Sequence, residues 1–169
     1  ILEAAHRAPT ASNSQRVFFK VVTDPKDLKM ISNYTIETFS KIAKLLNFPL
    51  IKPLLKLFAP EVAKYIPSFK EMENNYKAGK DIILRGATAV IFIYTPKSQH
   101  FGCADANLAY QNGSLMAETL GIGQFYTGFV LSALAQDKKR KLAKLLGIKG
   151  SIHAGMALGV PQLHFSKYI

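Results

Sequence analysis

The sequence predicts a mixed α+β sandwich whose strands are separated by helices rather than joined by hairpins. Residues 87–94 (ATAVIFIY) form a continuous apolar run rich in β-branched side chains, which is typical of a buried central strand. Residues 17–22 and 152–160 are also apolar, the second with alternation and internal glycines, and are predicted as core strands. Apolar residues at helical spacing lie between these runs, so helices connect the strands.

A long helix is predicted after the first strand. Asp24 is suited to cap it, Pro25 takes its first position, and the helical pattern continues to about Leu46. The remaining segments are a helix end at 1–7, a strand or loop at 122–129, and a helix or pair of helices at 131–146.

A further helix is predicted from about Asp105 to Leu120, where Gly121 stops it. Small residues lie all round it, which indicates burial on more than one side, either at the centre of the fold or at a subunit interface. Asp105 is expected as its N-cap, and Asp137 as the N-cap of the last short helix.

A helical insertion is expected at about 39–80, with 47–80 as the insertion or lid proper. Its prolines each tend to begin or end a short helix, so several short amphipathic helices are predicted. The segment is net basic and suits a lid over a site, a dimer arm or a membrane-surface element. The prolines are Pro49, Pro53, Pro60 and Pro67.

The composition predicts one soluble domain over residues 1–169, because 49% of residues are hydrophobic and 20% are charged. No apolar run reaches membrane-spanning length. The single cysteine, Cys103, excludes an internal disulfide or CxxC metal site, suits the cytoplasm, and is expected to be a small buried hydrophobe. Because Ile1 begins inside a helical pattern, we expect a natural start upstream.

The net charge of +11 is compatible with nucleic acid, with an anionic membrane surface, or with phosphate-bearing ligands and acidic partners. The densest basic run, 138–141, is interpreted as the solvated face of a short helix. Aromatic residues do not interleave with basic ones as a surface for single-stranded nucleic acid requires, so no nucleic-acid partner is predicted.

The segment 8–15 (APTASNSQ) is the strongest functional signal in the chain. Its proline and short polar side chains predict a tight loop whose backbone can approach a flat polar ligand. This loop closely resembles the flavin-contacting "APS-x-x-N-x-Q" segment of the nitroreductase family. Two further motifs follow in the family's order, a central helix at 105–123 and "ALGVP" at 157–161.

The resemblance implies a nitroreductase-like mixed or antiparallel sheet flanked by helices, in a homodimer with one FMN per subunit at each interface. It implies that Thr127 and Gly128 bring backbone N–H groups to flavin N5, while Tyr126 is either core filling, which is favoured, or a platform for the flavin. The loop residues that it places around the flavin are Pro9, Thr10, Ala11, Ser12, Asn13 and Gln15.

Two departures from the family concern the cofactor phosphate. The family's "R-R-S-x-R" segment would lie upstream of Ile1, and the arginine usual after the final strand is missing. Lys167 lies near that position and is the candidate phosphate contact. Asn112, inside the central helix, either bridges subunits or faces water, and Arg85 is assigned no role.

The resulting hypothesis is an FMN-dependent oxidoreductase that passes hydride from NADH or NADPH to a nitroaromatic, quinone or similar flat acceptor. A ferredoxin-type donor is the alternative electron source. Two other functions stay open: a flavin-binding electron relay without its own turnover, and a basic module that binds nucleic acid or an anionic surface.

Overall fold

The computed structural model describes residues 1–49 and 60–162. Its centre is a four-stranded antiparallel sheet with the strand order β1-β2-β4-β3. The strands are β1 Phe18–Val22, β2 Ala89–Thr95, β3 Gly123–Tyr126 and β4 Ser151–Gly159. The predicted α+β class and the three predicted core strands are confirmed, and 122–129 contributes the short edge strand β3.

Six α-helices are described around this sheet, and every connection between strands passes through at least one helix or a long loop. They are α1 Leu2–His6, α2 Pro25–Leu46, α3 Pro60–Lys77, α4 Gly102–Thr119, α5 Gly128–Gln136 and α6 Lys141–Leu145.

The sheet is covered on both faces, which explains the uninterrupted apolar sequence of β2. Val90 and Phe92 point into the core formed with α2, α5 and α6, and Ile91 and Ile93 point into the core under α4. All four side chains are at most 5% exposed. A strand buried on both faces loses the polar alternation of a half-exposed strand.

The predicted start of α2 is confirmed. Asp24 accepts a hydrogen bond from the Lys26 amide at 2.7 Å, Pro25 is the first helical residue, and the helix ends at Leu46. Its buried stripe includes Ile31 and Phe39, so one face of the helix packs on the sheet.

The prediction that prolines divide 47–80 into several short helices is wrong where the structure describes it. Residues 60–77 form one helix, α3, with Pro67 in its interior. Proline there removes one backbone hydrogen bond. The helix is held by packing, because Met72 is buried in the core and Phe69 stacks on Phe39 with ring centroids 5.0 Å apart. Residues 50–59 of the predicted insertion lie outside the described residues.

The central helix begins earlier than predicted, at Gly102, so Asp105 lies within its first turn and is not the N-cap. Glycine allows this start because a Cβ at residue 102 would collide with the Thr95 hydroxyl on β2. The N-cap prediction for Asp137 is also wrong. Arg140 caps α6 with a φ of +54°, while the Asp137 carboxylate accepts from the Leu142 amide at 3.3 Å.

The burial predicted for α4 is only partly found. One stripe packs on the sheet, while Leu108, Leu115 and Met116 are 46%, 58% and 37% exposed. Cys103 is exposed, so its prediction as a buried hydrophobe is wrong. The Asn112 amide donates to the Ala4 carbonyl at 3.4 Å, which ties α4 to α1 within the chain.

Across the described ranges, no helix is both long and apolar enough to cross a membrane.

Candidate functional site

The loop after α1 is built from strained backbone. Ser12, Asn13 and Gln15 have φ values of +53°, +48° and +50°, the left-handed region that residues other than glycine rarely occupy. Each such residue costs about 1–2 kcal/mol relative to ordinary backbone. A short polar loop keeps this shape only when its surroundings hold it.

Asp105 holds the loop from the first turn of α4. Its Oδ1 accepts a hydrogen bond from the Ala11 amide at 2.9 Å, and its Oδ2 accepts from Gln99 Nε2 at 3.2 Å. Gln99 Nε2 also donates to the Ser14 hydroxyl at 2.9 Å. Asp105 is 2% exposed, and the N-terminal turn of a helix favours its negative charge. This clamp was not predicted, because an acidic residue at a helix start is the only signal of it in the sequence.

The loop is also closed on itself. The backbone N–H of Gln15 donates to the Thr10 hydroxyl at 2.9 Å, and the backbone N–H of Asn13 donates to the Thr10 carbonyl at 3.0 Å. Thr10 therefore acts mainly through the loop's own hydrogen bonds.

Short polar side chains face outward from this closed loop. Pro9, Ser12, Asn13 and Gln15 are exposed, and Gln15 Nε2 donates to Asn13 Oδ1 at 3.3 Å. Beside them lies a cavity of about 280 Å³. Its lining residues are Ala5, His6, Arg7, Ala8, Pro9, Thr10, Asn13, Gln15, Val17 and Ala109. The loop thus offers amide donors and acceptors beside a small opening.

The second predicted group lies where β3 leads into α5. Tyr126 is 41% exposed, so the favoured prediction that it fills the core is wrong. Its hydroxyl donates to the His153 carbonyl at 3.1 Å, and its ring packs edge-on against Tyr110 with centroids 4.9 Å apart. Partial burial raises the pKa of Tyr126, so its hydroxyl stays protonated at neutral pH. Because β3 is an edge strand, this ring remains at the surface.

Thr127 is turned toward the sheet. Its amide donates to the Gly155 carbonyl at 2.9 Å, and a Cβ at Gly155 would collide with its hydroxyl. Thr127 is 2% exposed, and its hydroxyl oxygen has no hydrogen-bond partner among the described residues. The Thr127 amide is therefore already engaged within the chain.

Gly128 is open by contrast. It is exposed, it is the first residue of α5, and a Cβ built on it meets no atom within 4 Å. The first amides of a helix have no partner within the helix. Gly128 therefore leaves free space beside a helix N-terminus.

We expect Thr127→Val to raise the free energy of unfolding by about 1 kcal/mol, because valine keeps the shape and removes an unpaired buried hydroxyl. Urea unfolding measures this change. The matched variant Thr127→Ser keeps the hydroxyl and loses a methyl group, so it should destabilise by about 0.8 kcal/mol. A loss of stability in Thr127→Val would show that the hydroxyl has a partner.

The two groups of predicted residues do not meet within the described chain. The loop 9–15 is held by Asp105 of α4, whereas Tyr126 approaches Asn107 of the same helix, with 3.3 Å between the Tyr126 hydroxyl and Asn107 Oδ1. Within the described ranges no hydrogen bond joins the loop to residues 126–128, and the cavities beside the two groups have no lining residue in common. Lys167 lies outside the described residues.

The chain belongs to the nitroreductase family, whose sequence pattern it matches over residues 1–160. Members of this family are flavin-dependent oxidoreductases, and the order of the loop, the central helix and the final strand agrees with the match. Among curated proteins, none matches the sequence of this chain.

Solved structures confirm the fold. An FMN-bound nitroreductase from Bacteroides fragilis NCTC 9343 has a TM-score of 0.71 at 17% identity, over 99% of this chain and 79% of that one. An FMN-dependent nitroreductase from Mycobacterium smegmatis in complex with NADPH has a TM-score of 0.58 at 14% identity, over 98% and 85%. Iodotyrosine deiodinase bound to FMN and 3-iodo-L-tyrosine has a TM-score of 0.63 at 17% identity, over 99% and 79%.

Proposed function

We propose that this protein is an FMN-dependent oxidoreductase that passes hydride from NADH or NADPH to a nitroaromatic, quinone or similar flat acceptor. The observation that carries the proposal is the loop 9–15, a strained and clamped set of outward-facing polar groups whose sequence resembles the family's flavin segment. Strained backbone that the surroundings enforce is concentrated at ligand-binding sites.

The hydrogen-bonding groups of the loop 9–15 fit an isoalloxazine ring. The side-chain amides of Asn13 and Gln15 and the hydroxyl of Ser12 offer hydrogen-bond donors and acceptors to the polar edge of the ring. The backbone of Pro9, Thr10 and Ala11 positions these side chains. When bound, FMN supplies hydride transfer at its ring nitrogen N5.

At the other side of the proposed site, Gly128 would offer its backbone N–H to the flavin, and its missing side chain leaves open space there. Thr127 positions that amide through its own hydrogen bond to Gly155. Tyr126 is the neighbouring aromatic surface, and Lys167 is the proposed phosphate contact.

The proposal includes a homodimer. The loop 9–15 and the segment 126–128 are separate in one chain, so a site that uses both needs two copies. The exposed side chains of Leu108, Leu115 and Met116 on α4 support a second copy on that face, because monomeric proteins seldom expose such a row.

The electron donor and the acceptor belong to the same proposal. Flat nicotinamide and aromatic acceptors are expected to use one pocket in turn, since the protein orients each against the cofactor. A ferredoxin-type electron donor is the alternative, and anaerobic reduction of the bound flavin distinguishes it from NADH and NADPH.

Titration of the protein with FMN, followed by flavin fluorescence, tests binding. Anaerobic addition of NADH or NADPH is then expected to bleach the visible flavin bands, and a nitroaromatic is expected to restore them. Bleaching by dithionite alone would indicate another electron donor or a relay. Absence of FMN binding would overturn the proposal and favour a basic binding module.

The variant Asn13→Gly tests the loop itself. Glycine keeps the left-handed backbone and removes the side-chain amide. We expect FMN affinity to fall roughly tenfold, the effect of losing about one good hydrogen bond. Lys138→Gln, which changes an exposed lysine remote in sequence, is the control and should bind FMN as the unaltered protein does. Unchanged affinity in Asn13→Gly would remove this side chain from the site.

A further inference from the structure

We propose that Arg85 anchors the carboxylate of a flat aromatic acceptor, so that the preferred acceptors of this protein are aromatic carboxylates. This inference rests on the proposed function and adds a substrate class to it. The evidence is a cavity of about 390 Å³ that adjoins Gly128. Its lining residues are Ile83, Arg85, Phe125, Tyr126, Thr127, Gly128, Phe129 and Ser132.

The lining of this cavity combines aromatic walls with one cation. Phe125 and Phe129 contribute rings, Ile83 is 2% exposed and contributes an apolar floor, and Arg85 is the only charged residue in the lining. Pockets that are mostly apolar with a few placed polar groups bind small molecules through the apolar part and select them through the polar part. An aromatic ring that bears an anionic group matches both parts.

The guanidinium of Arg85 is available to such a group. It lies over the Phe125 ring, with 5.6 Å from its central carbon to the ring centroid. Stacking on a ring face leaves the N–H donors at the guanidinium edge free, and their planar fork matches a carboxylate. Among the described side chains, no acid forms an ion pair with Arg85.

A rigid turn presents Arg85 at the cavity. Asp81 Oδ1 accepts from the amides of Ile83 and Leu84 at 2.8 and 3.1 Å, and Asp81 Oδ2 accepts from the Ser32 hydroxyl at 2.7 Å. Leu84 is 2% exposed, so the turn is anchored in the core. Arg85 itself has a φ of +52°, a conformation unfavourable for arginine that the turn imposes.

The opposite wall is also held in place. The Phe129 ring packs edge-on against Phe39 of α2 with centroids 6.2 Å apart, and Phe39 in turn stacks on Phe69 of α3. The position of this aromatic wall is therefore held by packed helices. Arg85 itself is exposed, so a carboxylate can reach its guanidinium.

The test compares benzoate with benzamide, which have nearly the same shape and differ in charge. Their affinities are measured by titration calorimetry on the FMN-supplemented protein. We expect Arg85→Gln to weaken benzoate binding roughly 10- to 100-fold, the range for a charged hydrogen-bonded contact. Benzamide binding should change less than twofold. The control Lys138→Gln makes the same change in net charge and should leave both affinities unaltered.

A second variant separates loss of the guanidinium from loss of the turn. Asn tolerates left-handed backbone, so Arg85→Asn removes the charge while favouring the native turn. The same selective loss of benzoate binding is expected. Equal loss of benzoate and benzamide binding in both variants would overturn the proposal, because Arg85 would then act only on the shape of the cavity.

Two further outcomes also overturn the proposal. One is unaltered benzoate binding in both variants. The other is weaker binding of FMN with unchanged binding of riboflavin, which would assign the guanidinium to the cofactor phosphate. If FMN does not bind at all, the proposed function fails, but benzoate and benzamide titrations of the protein alone still test Arg85.

Discussion

Replacing Phe92 by alanine is expected to lower the free energy of unfolding by about 3–5 kcal/mol, the range for truncating a buried aromatic side chain. Phe92 lies in the middle of β2 and is 0% exposed. Its register partner on β4 is Gly155, where a Cβ would lie 3.3 Å from the edge of the Phe92 ring and would collide with the Thr127 hydroxyl. Because Gly155 has no side chain, it cannot fill the cavity that alanine at residue 92 would leave.

Urea unfolding followed by circular dichroism measures this loss. Phe18→Ala on the adjacent strand β1 is the matched control, since Phe18 is 46% exposed and pairs with the Tyr94 ring at a centroid distance of 5.7 Å. Its expected loss is about 1 kcal/mol, the value of one exposed aromatic pair. Because small domains are stable by only about 5–15 kcal/mol, Phe92→Ala should also shift the thermal midpoint visibly. Similar losses in the two variants would contradict the assignment of Phe92 to the core.

Elements whose signals are local were predictable from the sequence. β2 is apolar throughout because both of its faces are covered, and α2 carries its own cap at Asp24 and its own proline at the first position. These features need no knowledge of distant residues, so the three core strands and the long helix could be placed from composition and spacing alone.

Features that depend on tertiary contacts were not predictable. Pro67 predicts a helix boundary, but α3 continues through it because packing at Phe69 and Met72 outweighs one lost hydrogen bond. Cys103 was expected inside because free cysteines usually are, yet it lies outside the buried stripe of α4. That helix starts at Gly102, earlier than predicted, because glycine fits beside the Thr95 hydroxyl. This contact between distant residues has no local signal in the sequence.

The candidate site also combines a part that was predictable from the sequence with a part that was not. The polar loop was visible in the sequence because its residue types are those of a tight turn, whereas the groups that hold it are distant in sequence. Asp105 is 94 residues from Ala11, and Gln99 is 85 residues from Ser14. The sequence indicated which residues form the loop but not which residues make it rigid.

Replacing Asp105 by alanine is accordingly expected to weaken FMN binding by more than tenfold without touching a residue that faces the ligand. The carboxylate binds the loop at Ala11 directly and at Ser14 through Gln99. Without it, Ser12 and Asn13 are free to leave their left-handed conformations. Binding must then restore two residues at about 1–2 kcal/mol each, and 1.4 kcal/mol already corresponds to a tenfold change in affinity.

The same variant is expected to destabilise the folded state by about 1.5–3 kcal/mol, because it leaves the Ala11 amide without its charged acceptor. Fluorescence titration with FMN and urea unfolding measure the two effects separately. Glu118→Gln removes the charge of an exposed carboxylate on the same helix and should alter neither quantity by more than the measurement error.

Asp105→Asn separates the contributions of the two hydrogen bonds that the Asp105 carboxylate accepts. Its carbonyl oxygen still accepts from the Ala11 amide, but its amide group faces Gln99 Nε2, which is also a donor. We therefore expect an FMN affinity between those of the unaltered protein and Asp105→Ala. Ser14→Ala, which breaks only the contact through Gln99, should have a smaller effect than Asp105→Ala. Full FMN affinity in Asp105→Ala, with the expected loss of stability, would show that the loop keeps its shape without the carboxylate and that the clamp serves folding alone.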